Sequence, residues 1–295
     1  KDKENIVIYD AYCPIIANVA AVIGNMFGFK VIALYTDVPK CMNDNLNKKN
    51  SFKSFLKRVY NSIDKKSNEI AKGYILLTEQ MNEVVNKNNK PYIVMEGLVD
   101  KYFDIDNNIE NKYEKFTILY AGGLYSKFGI ENLIQAVEQI QDDNIQLLLY
   151  GEGELVEKLK KEYKNSKKII YGGTLPNHLI VKEEVKSTVL VNPRFSNEEY
   201  TKYSFPSKNM EYMVSGTPIL TTKLPGMPKE YYEYIYLFEE ESIEGMKNKL
   251  EQILNIEAKD LNKKGKEAKE FVLNKKNNVI QAKKIIKLIS EENEL

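Results

Sequence analysis

The 295-residue chain carries 43 Lys and Arg against 42 Asp and Glu, a formal net charge of +1, with 43% apolar residues and no Trp. This balance excludes the chain-wide positive field of a nucleic-acid binder, and the length predicts two domains, because single cores stop growing near about 250–300 residues. Two cysteines, Cys13 and Cys41, and one histidine, His178, are too few for a disulfide framework or a zinc cluster, and leave no His-based triad unless His178 is in it. A reducing, cytoplasmic setting is expected. Apolar runs such as residues 15–23 fall short of the roughly 20 residues that a membrane span needs, and no charged-then-apolar leader opens the chain.

In chain order, "NIVIYDAY" reads as a strand, and a helical stretch follows around Ile15 to Phe27. "KVIALYTD" is a second strand, followed by a long helical region and the strands "GYILLT" and "PYIVMEG". Short, continuous apolar runs alternating with helical patterns predict a parallel α/β sheet. The polar stretch "DIDNNIENKYEK", residues 104–115, reads as an interdomain linker that buries nothing. Beyond it the alternation restarts with "FTILYAGG", "IQLLLYGEGE", "KKIIYGG", "TVLVNPR" and "TPILTT", each followed by a helical segment or turn. Two Rossmann-like domains are expected, over 1–107 and 108–274. Residues 275–295 should then form a helix with Val279, Ile280, Ala282, Lys283, Ile286 and Ile289 on one apolar face. The chain reaches a strand by Ile6, so the first domain is expected to hold about four strands and to lack an N-terminal portion.

Three successive turns of the second domain end in glycine: Gly122 and Gly123, Gly151 and Gly153, Gly172 and Gly173. At the carboxyl ends of parallel strands such turns let a backbone approach a phosphate closely, which predicts a nucleotide site. A dinucleotide fingerprint fails, because Val156 stands at the third glycine and "KKIIYGG" ends without a ribose-binding acid. In "VNPRFSNEEYTKYSFPSKNMEYMVSGTPI", residues 191–219, Pro206 opens a helix that Gly216 stops. Its N-terminus at Phe205 to Lys208 presents unpaired N–H groups and a dipole suited to a diphosphate. Glu211, one turn in, is placed either to accept hydrogen bonds from a sugar diol or to pair with Lys208 at the surface.

The segments "FPSK", "EYM" and "SGTP" resemble the nucleotide-sugar motif of retaining GT-B glycosyltransferases of family 4, the glycosyl transferases group 1, of the bacterial polysaccharide type. "YAGGLYSKFGIENLIQAV" resembles the first βα turn of their donor domain, and "LLLYGEGEL" and "IIYGG" fit the next two turns. The likeness is strong over 116–254 and moderate over 1–115. It implies a metal-independent, retaining transfer from a nucleoside-diphosphate sugar, UDP- or GDP-linked, to a hydroxyl of a glycan acceptor that is lipid-linked, in the cleft between two domains and with no cofactor. Glu211 would hold the ribose, the backbone of Phe205, Pro206 and Ser207 would meet sugar and phosphates, and Lys127 would neutralise the leaving diphosphate. The turn from Gly172 to Leu175 would border the base, with Gly122, Gly123, Gly151 and Gly173 lining the donor. Two positions depart from the family pattern. Tyr203 stands where a second Glu is common, and Gly123 where an Arg often accompanies Lys127. Arg194 and Lys208 are the substitute cations, or are ordinary surface charges.

In the first domain Asp10 occupies a position where the family commonly has a histidine. Its carboxylate would orient or deprotonate the acceptor hydroxyl, or else would cap the helix that follows. Asp37 ends the second strand and points to the same cleft. Residues 40–72 hold nine basic and three acidic side chains, with Phe52, Phe55, Leu56, Val59 and Ile63 at helical spacing. The core of this stretch, 48–66, reads either as a helix resting on an anionic membrane or as a core-facing helix with a solvated lysine face. His178 is read as a surface or capping residue. Two rivals remain: a sugar-nucleotide epimerase, which would bind the same donor without an acceptor, and a non-catalytic partner subunit, which would bind no donor.

Overall fold

Runs of β-branched and aliphatic residues form parallel strands in both halves of the computed structural model, which describes residues 4–11, 15–38, 62 and 65–290. Its contacts divide into two units. One comprises Lys1–Gly97, Glu198–Phe205 and Val279–Leu295; the other comprises Leu98–Asn197 and Pro206–Asn278. Cys13 and Cys41 lie outside the described residues, as does nearly all of the basic 48–66 stretch. No described helix is long and apolar enough to cross a membrane.

The first unit contains β1 (Ile6–Asp10), α1 (Ile15–Met26), β2 (Lys30–Tyr35), β3 (Gly73–Leu76), α2 (Glu79–Val85) and β4 (Tyr92–Val94), with the four strands parallel in the order β1-β2-β3-β4. The two inner strands are buried almost throughout, which is why "VIAL" and "YIL" are apolar at successive positions rather than alternately. Among the described residues β1 pairs only with β2, and its Ile6 and Ile8 stand 39% and 47% exposed. Val19, Ile23, Met26 and Phe27, on and just after α1, are also exposed.

The six strands of the second unit are β5 (Phe116–Ala121), β6 (Ile145–Tyr150), β7 (Ile169–Gly173), β8 (Val189–Asn192), β9 (Ile219–Thr222) and β10 (Tyr236–Phe238). They are parallel in the order β10-β9-β8-β5-β6-β7. That is the doubly wound arrangement, with the strand order reversing between β5 and β8. The helices of this unit are α3 (Ile130–Gln139), α4 (Val156–Glu162), α5 (Asn177–Lys186), α6 (Ser207–Ser215), α7 (Ile243–Leu254) and α8 (Ala258–Lys275). Ile118, Leu147 and Leu149 of the sheet belong to one buried core with Leu133 and Val137 of α3 and Met246, Leu250 and Ile253 of α7.

Two expectations need correction. Residues 104–115 do not run free. Asn107 is buried and donates through Nδ2 to the Ser215 carbonyl (2.8 Å) and to Thr217 Oγ1 (2.9 Å), while Lys112 Nζ reaches the Ser187 carbonyl at 2.9 Å. These side chains supply donors to carbonyls that helix ends leave unpaired. The C-terminal helix forms, but it does not bury the expected face. α8 ends at Lys275, and a parallel bridge between Val99 and Asn277 takes the chain out of helix before α9 (Asn278–Ser290) begins. The buried stripe is set by the strand surface that the helix meets. Leu288 is the buried contact with Ile32 and Ile75, flanked by Ile285 and Ile289, whereas Val279 and Ile286 are exposed. Lys30 donates from Nζ to the Ile289 carbonyl, placing a cation at the carboxyl end of α9.

Candidate donor site

The site grows from the carboxyl ends of β5, β6 and β7, beside the point where the strand order reverses. A cleft of about 360 Å³ there is lined by Gly122 and Gly123 after β5, Tyr150 and Gly151 at the end of β6, Thr174 and Leu175 after β7, Ile180 of α5 and Lys208 of α6, among others. Its size falls within the range of small-molecule sites. The glycines are dictated by close backbone approach. Gly151 has φ 129°, and a Cβ built on it would sit 1.9 Å from the Gly122 carbonyl oxygen.

Helix α6 is capped at its start by Pro206 and ended by Gly216 in the left-handed conformation, φ 77°. Its first turn therefore offers backbone N–H groups that the helix cannot satisfy, together with the positive end of its dipole. Lys208 and Glu211 pair at i, i+3: Nζ lies 3.0 Å from Glu211 Oε1, and the same oxygen accepts from Asn177 Nδ2 at 3.2 Å. Both side chains remain partly exposed. The sequence left Glu211 two roles, and this pairing fixes the carboxylate beside the cleft-lining lysine without burying it.

The other expected cations lie elsewhere. Arg194 stacks its guanidinium 4.7 Å from the centre of the Phe128 ring, and Lys127, exposed, approaches the same ring at 5.2 Å. These are cation–π contacts. Neither residue lines the cleft. Gly173, with φ 81°, ends β7 just before the lining Thr174 and Leu175. Phe205 and Pro206 are buried and Ser207 is exposed, and the two units meet in sequence between Phe205 and Pro206. Tyr203, at the place of the family's second Glu, packs partly buried against the core of Tyr9, Val31 and Tyr74 within the first unit, so a packing residue stands where a sugar-binding carboxylate was sought. Asp10 closes β1 and is partly exposed. Asp37 accepts from the backbone N–H of Val38 at 2.7 Å. His178 is exposed in the first turn of α5.

Several residues escaped sequence reasoning. Tyr212 is fully buried; its hydroxyl accepts from the Ala121 N–H at 2.8 Å and donates to the Ala121 carbonyl at 3.2 Å, tying α6 to the end of β5. Asn209 is buried and bonded to Asn192 (2.8 Å), tying the same helix to β8. Glu183 accepts from Tyr113, from Tyr150 at 3.2 Å and from Lys186 at 3.2 Å. Burial, and then that carboxylate, push the Tyr150 phenol up to about 12. Glu184, the next residue, is completely buried, and burial pushes its carboxyl up to about 8, helped by the neighbouring Glu211 carboxylate. The motif "EYM" marked Glu211 and passed over Tyr212 beside it, and nothing in "VKEEVK" marked Glu184. Among the described residues no group of three or more His, Cys, Asp or Glu is placed to hold a metal.

An open, doubly wound sheet with a cleft at its switch point, accompanied by a second parallel sheet, is the GT-B glycosyltransferase fold. Residues 102–271 match the glycosyl transferases group 1 family, and the chain belongs to that family. Solved structures agree on the fold. Sucrose-phosphate synthase from Thermosynechococcus elongatus superposes with a TM-score of 0.65 at 16% identity, over 97% of this chain and 72% of that one. Anabaena HepE bound to UDP gives 0.69 at 12% identity, over 93% of this chain and 76% of its own. A glycosyltransferase from Rickettsia africae gives 0.68 at 19% identity, over 97% and 76%. No curated protein matches the sequence.

Proposed function

We propose that the protein transfers a sugar from a nucleoside-diphosphate sugar, UDP- or GDP-linked, to a hydroxyl of a lipid-linked glycan during cell-surface polysaccharide synthesis, retaining the anomeric configuration and using no metal. The observation that carries the reading is the cleft at the switch point, with Lys208 in its wall and Glu211 held beside it at 3.0 Å. The diphosphate lies at the start of α6, where N–H groups, dipole and Lys208 meet the charge that develops as the anomeric bond breaks. Gly122, Gly123 and Gly151 let the nucleotide approach the backbone, Thr174 and Leu175 border the base, and Glu211 accepts from the ribose hydroxyls. Asp10 is the carboxylate assigned to the acceptor hydroxyl. HepE, of similar fold, has been solved with UDP and with UDP-glucose, which favours a uridine donor. The basic 48–66 stretch supports a cytoplasmic enzyme resting on the inner face of the membrane.

Thermal-shift titration with UDP, GDP, ADP and their sugar conjugates tests this. A cognate nucleotide at about 100 times its Kd should stabilise the native chain by roughly 2.7 kcal/mol. Glu211→Ala should weaken it by about tenfold to a hundredfold, since a hydrogen bond to a charged group contributes roughly 1.5–3 kcal/mol. Unchanged affinity in Glu211→Ala would refute the ribose assignment, and no shift with any nucleotide would refute the donor site.

A further inference from the structure

Glu184 sits on α5 with no exposed surface, and neither of its carboxyl oxygens receives a hydrogen bond from the chain. A bare carboxylate so placed would carry the full cost of desolvation. What it does face is a second carboxylate, Glu211 on α6. Two ionised carboxylates both accept and neither donates, so a contact between them is attractive only when one proton is shared.

The other charged and titratable groups nearby do not supply that donor. Lys208 Nζ is engaged by Glu211 Oε1. Tyr212 of α6, which senses Glu184 electrostatically, bonds the backbone of Ala121. Tyr120 of β5 donates to the Gly123 carbonyl at 2.9 Å. Lys112 donates to the Ser187 carbonyl and to Thr217 Oγ1, and Thr217 in turn donates to the backbone carbonyl of Glu184 at 2.8 Å. On the same helix, Glu183 and Lys186 pair with each other and with tyrosines.

We propose that Glu184 is a positioning residue for the donor site: it keeps its proton, donates it to Glu211, and so fixes the Glu211 carboxylate in the orientation that receives the nucleotide ribose. This rests on the reading that Glu211 binds the ribose. Asn177 and Lys208 hold one Glu211 oxygen from the open side, and a protonated Glu184 supports the group from the buried side. When Glu184 ionises, the two carboxylates repel, Glu211 tilts away, and nucleotide affinity falls.

The test uses the whole chain. A titration of ¹³C-labelled Glu carboxyls should show Glu184 protonated at neutral pH, with its midpoint moving down in Glu211→Gln as the facing charge is removed. UDP and GDP affinities are then measured between about pH 7.5 and 9, above the second phosphate pKa of about 6. In the parent chain affinity should fall several-fold across that range; in Glu184→Gln, whose amide still donates but cannot ionise, it should stay within about twofold. Glu184→Leu should bind weakly at every pH while remaining folded by circular dichroism. Identical pH profiles for the parent chain and Glu184→Gln, with Glu211→Ala still losing affinity, would overturn the proposal while leaving the ribose reading intact. Full affinity in Glu211→Ala, or no binding of either nucleotide by the parent chain, would remove the reading on which it rests.

Discussion

Gly151 and Tyr212 show how single residues build the cleft without touching a reacting atom. Alanine at 151 would drive a Cβ into the Gly122 carbonyl and hold a strained φ, so Gly151→Ala should cost about 1–3 kcal/mol or more. Urea denaturation checks the loss, and nucleotide binding should weaken with it. Tyr212→Phe removes only an oxygen, but it leaves the buried Ala121 N–H without that partner. The expected cost is about 1–3 kcal/mol, again read from urea denaturation. Of the residues singled out in the sequence, Glu211 and Lys208 were legible because helix spacing puts i and i+3 on one face, and the glycines because strand ends demand them. Glu184 was not legible. Its two-carboxyl contact joins α5 to α6 across 27 positions of sequence, and spacing along one helix carries no information about the facing one.

At the scale of elements, the strands were easily read, since buried parallel strands leave continuous apolar runs. The buried face of the C-terminal helix was not. Every residue counted onto its face lies within α9, but a helix rich in Ile and Leu offers more than one apolar stripe, and the buried one is chosen by Ile32 and Ile75, which are distant in sequence. The consequence is measurable. Leu288→Ala should destabilise the first unit by about 2–5 kcal/mol, whereas Ile286→Ala, on the exposed face, should fall within about 0.5 kcal/mol of the parent chain. Equal effects of the two in urea denaturation would show that the face had been misassigned. The linker was misread for a related reason. A polar composition suggested exposure, yet Asn107 and Lys112 are polar because they satisfy the carbonyls where α5 and α6 end.

Across the whole molecule, buried Glu184 and half-buried Lys112 give stability a pH dependence of opposite sign. Burial raises the Glu184 carboxyl from 4.5 to about 8, so the folded chain binds more protons than the unfolded one between those values, and stability falls as pH rises through that window. Burial lowers the Lys112 amine from 10.5 to about 7, so the folded chain binds fewer protons there and stability rises with pH from about 7 to 10.5. Each group contributes a slope of up to about 1.4 kcal/mol per pH unit. From these two alone a flat-bottomed minimum is expected between about pH 7 and 8, where the two slopes cancel. Urea midpoints should show Glu184→Gln gaining on the parent chain as pH rises from 5 to 8, and Lys112→Met losing its advantage as pH rises above 7. A different consequence follows from β1. A strand whose outer edge is unpaired in the described sheet, and whose Ile6 and Ile8 meet solvent on the face opposite Val7 and α1, is a template for another strand. For residues 1–295 alone in concentrated solution, self-association should therefore begin at this edge and leave the donor cleft intact. The protein would lose solubility before it lost its nucleotide site, and one inserted charge, Ile8→Lys, would restore the one without disturbing the other.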